Sequence, residues 1–160
     1  MKFKHSVHEE TYRRVEEYLP EFFDDPYHDD GNGHFYVRYG STVLEISVEP
    51  YGPKEAVVNI MSYCVQGAAV DEELLRGLLQ VNHSLPFGSF SLLDDDIFFA
   101  HSIFGRDLEP RDLLGAIAAV ADVADEYDDR IVAKYGGTTA LERIRDTGGR
   151  GKRKLAIGQG

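Results

Sequence analysis

Apolar residues recur along this chain with two periods, and the switches between them divide it into elements. Ser6 followed by Glu9 matches a capping box, and Tyr12, Val15, Leu19 and Phe22 repeat at helical spacing. The pattern predicts a first helix from about His8 to Leu19 that stops or kinks at Pro20. The run DDPYHDDGNG at 24–33 has the composition of a loop. From His34 the period becomes two: Phe35, Val37 and Tyr39 alternate with His34, Tyr36 and Arg38, a strand. Gly40-Ser41 suits a tight reversal into a second strand, in which Leu44, Ile46 and Val48 alternate with Glu45, Ser47 and Glu49. PYGPKE at 50–55 reads as a turn. Ala56 to Gln66 is then a third strand, apolar on both parities through Val58 and Ile60 against Val57, Met61 and Tyr63.

A second helix is punctuated at both ends. Asp71 can accept hydrogen bonds from its first free N–H groups, Glu72 and Glu73 complement its positive end, and Val70 is placed to staple onto Leu75. Leu74, Leu75, Leu78 and Leu79 recur on one face, and Pro86 pushes Leu85 towards an extended conformation, ending the helix by about Ser84. Residues 87–93 and 97–104 follow as the fourth and fifth strands around Asp94-Asp95-Asp96. In the fifth, Ile97, Phe99 and Ile103 oppose Phe98, Ala100 and Phe104, so both faces want cover. One helix layer hides one face. The second calls for either the last helix or another chain.

That last helix starts near Pro110, which suits a first turn, and runs to Gly136-Gly137, which suit a left-handed cap. Leu113, Ile117, Val120, Ala124, Tyr127, Ile131 and Tyr135 line one face, and Gly115, Ala116, Ala118, Ala119 and Ala121 make the first half slim. The architecture expected is α+β: a five-stranded antiparallel sheet packed with helices, in the order α-β-β-β-α-β-β-α. A single domain would span residues 5–137, with a short helix and a flexible basic tail in 138–160.

Charge adds a second layer to this picture. Residues 1–149 carry all 28 acids and 13 of the 17 Lys and Arg, whereas 150–160 carry Arg150, Lys152, Arg153 and Lys154. The body repels phosphate, which argues against nucleic acid as its partner and favours basic ones. No apolar run approaches the roughly 18 residues that span a bilayer, and MKFKHSVHEET lacks the apolar centre of a signal peptide, so a cytoplasmic protein is expected. The single Cys64 has no disulfide partner in the chain and falls in a strand-like run, which suits a buried reduced thiol.

Candidate chemistry does not assemble. Asp24, Asp25, His28, Asp29 and Asp30 suggest a metal loop, but aligning Gly33 with the obligatory EF-hand glycine puts His28 first and Tyr39 where the bidentate glutamate belongs. Asp94, Asp95 and Asp96 read as a solvated turn. Asp122, Asp125, Glu126 and Asp129 share a helix face with no His beside them. Asn82, His83 and Ser84 stand at a helix exit, yet PFGSFS is not a nucleophile elbow. Gly31-Asn32-Gly33 lacks the third glycine of a dinucleotide fingerprint, and Gly151-Lys152 precedes Arg153 rather than Ser or Thr. No catalytic, cofactor-binding or metal-ligating residue is assigned.

The segments LLRGLLQVNHSLPFGSFSLLDDDIFFAHSI and LEPRDLLGAIAAVADVADEYDDRIVAKYGG resemble the corresponding parts of YbjN-like proteins, whose fold is shared with the class I chaperones of type III secretion. The resemblance covers roughly residues 5–137. It implies a non-enzymatic α+β domain, typically a homodimer, that binds an extended segment of a client protein without a cofactor. The residues place the candidate protein-binding or dimer surface at Val57, Met61, Tyr63, Phe98 and Phe104, on the second faces of the third and fifth strands. The rival expectation is a small-molecule-sensing domain with a pocket between helix and sheet lined by Tyr36, Met61, Tyr63 and Phe98.

Overall fold

In the computed structural model, residues 2–29, 31–40 and 42–140 are described. The elements are α1 (Ser6–Phe22), β1 (Tyr27–Asp29), β2 (His34–Tyr39), β3 (Thr42–Tyr51), β4 (Glu55–Gln66), α2 (Glu72–Ser84), β5 (Ser89–Leu93), β6 (Asp96–Phe104), α3 (Pro110–Tyr135) and β7 (Thr138–Thr139). The strands form one antiparallel sheet in the order β1-β2-β3-β4-β6-β5, with β7 paired to the end of β4. The sheet therefore has seven strands, not the expected five.

Both extra strands are short and lie where local composition hides them. Tyr27, His28 and Asp29 fall within the stretch read as a loop, but they pair with Tyr36, Phe35 and His34. The His28 ring stacks on Phe35 with centroids 4.9 Å apart, and its Nε2 meets the Tyr12 hydroxyl of α1. Tertiary contact, not propensity, makes this a strand. Thr138 and Thr139 open the stretch read as a short helix, yet they pair with Gln66 and Val65. Gly136 and Gly137, at φ 70° and 89°, make that reversal, and a Cβ on Gly137 would come within 2.6 Å of the Gln66 carbonyl oxygen. Ala140 is helical, and the predicted helix from 141 onwards, with the basic tail, lies outside the described residues.

Two helix ends also differ from expectation. His5, not Ser6, caps α1 by accepting from the His8 N–H, and Pro20 stays inside the helix, whose last residue is Phe22. α2 begins as its sequence implies: Asp71 Oδ1 accepts from the Leu74 N–H at 2.8 Å. Its buried face is narrower than predicted, because Leu74 and Leu78 are buried while Leu75 and Leu79 face outwards.

All three helices cover the same face of the sheet. Tyr12, Val15 and Leu19 of α1, Leu74 and Leu78 of α2, and Leu113, Ile117, Val120 and Ile131 of α3 meet Phe35, Val37, Leu44, Ile46, Val58, Ile60, Ile97 and Phe99 in one core. Of the two ways left open for covering the opposite face, α3 is not the answer.

Among the described residues, the outer edge of β5 is held by a side chain rather than a further strand. Asn82 Nδ2 donates to the Phe90 carbonyl at 3.1 Å, and the Phe90 N–H donates to Asn82 Oδ1 at 2.6 Å. One amide thus imitates a neighbouring strand on the outer edge of β5. The chain reaches that edge through Gly88, at φ 72°, where a Cβ would sit 2.7 Å from the Phe99 ring and 2.8 Å from the Ala100 carbonyl oxygen. The N-H-S-L-P-F-G stretch is a joint of the fold.

Candidate functional site

The face opposite the helices is built from the second parity of every long strand. Along one row Tyr27, Tyr36, Glu45, Met61 and Ala100 stand side by side; along another Tyr63 pairs with Phe98; at one end Glu49, Val57 and Phe104 align. The five residues singled out from the sequence do share this face. They do not form one patch. Val57 and Phe104 lie at one end, Met61, Tyr63 and Phe98 nearer the other.

The Phe104 end is open. Phe104 is 67% exposed, Tyr51 60% and Phe87 57%, and the Tyr51 and Phe104 rings meet edge to face at 6.0 Å. With Val57, Ile103 and His101 they line a groove of about 730 Å³. A second groove of about 520 Å³ lies on the helix side of the same edge, between β6 and the slim half of α3, floored by Gly115, Ala116 and Ala119. Phe87, His101, Ile103 and Phe104 belong to both. The small residues of α3 thus serve two ends: Ala121 and Ala124 pack in the core, while Gly115, Ala116 and Ala119 line this trough.

Between the two grooves runs an unpaired strand edge. β5 accompanies β6 only from Asp96 to Ala100, so from Ser102 to Phe104 the outer edge of β6 has no strand beside it among the described residues. Glu55 and Arg106 mark the far end: the Glu55 carboxylate accepts from the Ala56 and Arg106 backbone N–H groups. Those bonds, the first chief among them, hold its carboxyl below the usual range. Burial pulls the His101 imidazole below its ordinary value.

The other end of the face is closed and polar at its centre. Glu45, 8% exposed, accepts from the Tyr36 hydroxyl at 3.0 Å, and His34 Nδ1 lies 3.0 Å from its other oxygen. The latter contact sets the imidazole directly beside the carboxylate. It raises the His34 imidazole above its ordinary value against the opposing effect of burial. Burial, reinforced by Glu45 and Asp96, pushes the Tyr63 hydroxyl up to about 12. The space among Tyr36, Val43, Glu45, Tyr63 and Ala140 is too tight to admit a water molecule. Tyr36, Met61, Tyr63 and Phe98 lie on the sheet's outer face, not between sheet and helix where the ligand pocket was expected.

The acidic loops act locally. Asp29 Oδ1 accepts from the Gly31 N–H, Asp96 Oδ1 from the Gly67 N–H, and Asp94 holds a left-handed turn at φ 53°. Asp122, Asp125, Glu126 and Asp129 point to solvent. Among the buried polar groups that sequence reading did not single out are Asp128 on α3 and His8, whose Nδ1 accepts from the Lys4 N–H so that Nε2 donates to the Val48 carbonyl at 3.1 Å. Burial raises the Cys64 thiol to about 12, with the nearby Asp128 carboxylate adding to it.

Residues 9–143 match the family described as "T3SS (YopN, CesT) and YbjN peptide-binding chaperone 1". The chain belongs to this family. Of the solved structures, a chain from the crystal structure of the ExsC–ExsE complex shares its fold, with a TM-score of 0.57 and 10% identity over 79% of this chain and 97% of that one. No curated protein matches. Among the described residues, no helix is long and apolar enough to cross a membrane.

Proposed function

We propose that this protein binds an extended segment of a client by adding it as a strand along the Ser102–Phe104 edge of β6. The observation that carries the reading is the pair of grooves on either side of that edge. Successive side chains of an added strand point to opposite faces of the sheet. One set would enter the groove of Tyr51, Val57 and Phe104, and the alternate set the groove floored by Ala116 and Ala119. Main-chain hydrogen bonds would supply affinity, and the two apolar troughs selectivity. Membership of a family described as peptide-binding chaperones supports the same use. The excess of acids in the body favours clients with basic flanks. The activity is non-enzymatic, and we take the working form to be a cytoplasmic homodimer.

The test is a peptide array of apolar 12-residue segments with and without basic flanks, probed with wild type, Phe104→Glu and Ala119→Trp. A charge at Phe104 and a bulky ring at Ala119 attack opposite grooves while sparing the core. Each is expected to reduce binding at least tenfold with little change in thermal stability. Retained binding in both variants would remove the β6 edge as the site. Light scattering decides the dimer separately.

A further inference from the structure

The two grooves beside the free β6 edge differ in charge, and the difference follows the rows of the sheet. In the outer-face groove Glu49 of β3, Val57 of β4 and Phe104 of β6 stand opposite one another, with the Tyr51 ring against Phe104. Among the described residues, Glu49 is the one carboxylate in the lining of this groove, and no Lys or Arg accompanies it. His101 adds no positive charge near neutral pH, because burial holds its imidazole below the ordinary value. The trough on the helix side is different. Both of its arginines lie beside carboxylates of the chain, Arg106 at 3.7 Å from Glu55 and Arg111 at 3.9 Å from Asp112. Apart from the exposed Asp107, what it offers a guest is the small-residue floor of Gly115, Ala116 and Ala119.

The geometry points to a client strand that carries an arginine or lysine opposite Phe104, its cation lying over the Phe104 and Tyr51 rings to meet Glu49, directly beside a bulky apolar residue that enters the trough. This rests on strand addition at the β6 edge and goes one step further: the basic residue belongs to the bound strand itself, not to its flank. Neighbouring strands lie about 4.8 Å apart, so a residue beside Phe104 starts about 14 Å from Glu49, three spacings away. Extended across the sheet, a glutamate and a long cationic side chain close that gap end to end, and a short side chain does not. On the way the cation crosses exposed ring faces, which attract it, a guanidinium more readily than an ammonium. The apolar partner must be the next residue in sequence, since consecutive strand residues face opposite sides of the sheet. A diffuse acidic surface makes no such demand and would accept the cation anywhere in the peptide.

The test takes the full chain and an array of short peptides of fixed composition, Leu, Thr, Ser and a single Arg, in which the Arg is moved from the flank through the apolar stretch. The tightest peptide is then titrated by fluorescence anisotropy against its citrulline version, a neutral isostere of arginine. Binding should peak with Arg next to a Leu inside the stretch. Citrulline should weaken it about fivefold in wild type and by much less in Glu49→Gln, a change at an exposed position that leaves the thermal melt unmoved. An Arg equally effective in the flank, no Arg position above an Arg-free control, or the same citrulline loss in Glu49→Gln would each overturn the inference. Where peptide binding in those cases still falls with Ala119→Trp, strand addition at the edge survives the failure. Binding indifferent to both Ala119→Trp and Phe104→Glu removes the two together.

Discussion

Replacing Asn82 by Ala separates a fold clamp from an ordinary helix residue by the sign of its effect. If residue 82 were merely an exposed position late in α2, Ala would stabilise the protein by a few tenths of a kcal/mol, because Ala has the higher helix propensity. The structure demands the opposite. The amide makes two hydrogen bonds to the backbone of Phe90, a residue 6% exposed, and both are lost in Asn82→Ala. Each net bond contributes about 1 kcal/mol, and leaving a partly buried N–H and C=O unpaired raises the cost. The expected loss is about 2 kcal/mol, or roughly 4–8 °C in Tm for a chain of this size. Asn82→Asp keeps the acceptor for the Phe90 N–H but turns a charge towards the Phe90 carbonyl, so it should be at least as damaging. Urea unfolding followed by circular dichroism and tyrosine fluorescence measures all three proteins, and hydrogen exchange reports whether the Phe90 amide loses protection. An Asn82→Ala protein as stable as wild type would refute the clamp.

Gly115→Ala should stabilise by about 0.5–1 kcal/mol, since Gly115 is helical, its added Cβ meets nothing within 4 Å, and Ala loses less backbone entropy; thermal melts check it. The His34–Glu45 contact should make stability depend on pH. His34 has a folded pKa above its unfolded value of about 6.5, so its contribution is complete below that value and is lost as pH rises through the folded pKa. Denaturation of wild type and His34→Gln at pH 6 and pH 8.5 should therefore show the larger gap at pH 6; an equal gap, or a larger one at pH 8.5, contradicts the pairing.

Strong punctuation and long periods made most of the fold legible in the sequence. Asp71 and Pro86 delimit α2 because a cap and a proline act through local covalent geometry, and β2, β3, β4 and β6 show in their parity because each buries one full side of a strand. What failed was whatever depends on a distant partner. β1 spans three residues, Tyr27–Asp29, amid turn formers and is a strand because β2 and Tyr12 lie beside it. The predicted stripe of Leu74, Leu75, Leu78 and Leu79 ignored that α2 lies at a margin of the core, where half a stripe suffices.

The same distinction explains the candidate surface. Doubly apolar strands told truthfully that β4 and β6 carry apolar residues on the face away from the helices, hence Val57, Met61, Tyr63, Phe98 and Phe104. Parity contains no information about where along a strand the cover stops. That is decided by three things remote in sequence: the length of β5, which abandons the β6 edge after Ala100; the width of α3, where Gly115, Ala116 and Ala119 leave a trough; and the turn at Gly136-Gly137, which sends Ala140 onto the other half. Tyr51 and Phe87 escaped notice for a related reason, since each is an isolated aromatic beside a proline and becomes part of a surface only when β3 and β6 bring it to Phe104. An apolar face that looked uniform in one dimension is thus divided in three into an open edge fitted for an incoming strand and a closed half gathered around Glu45.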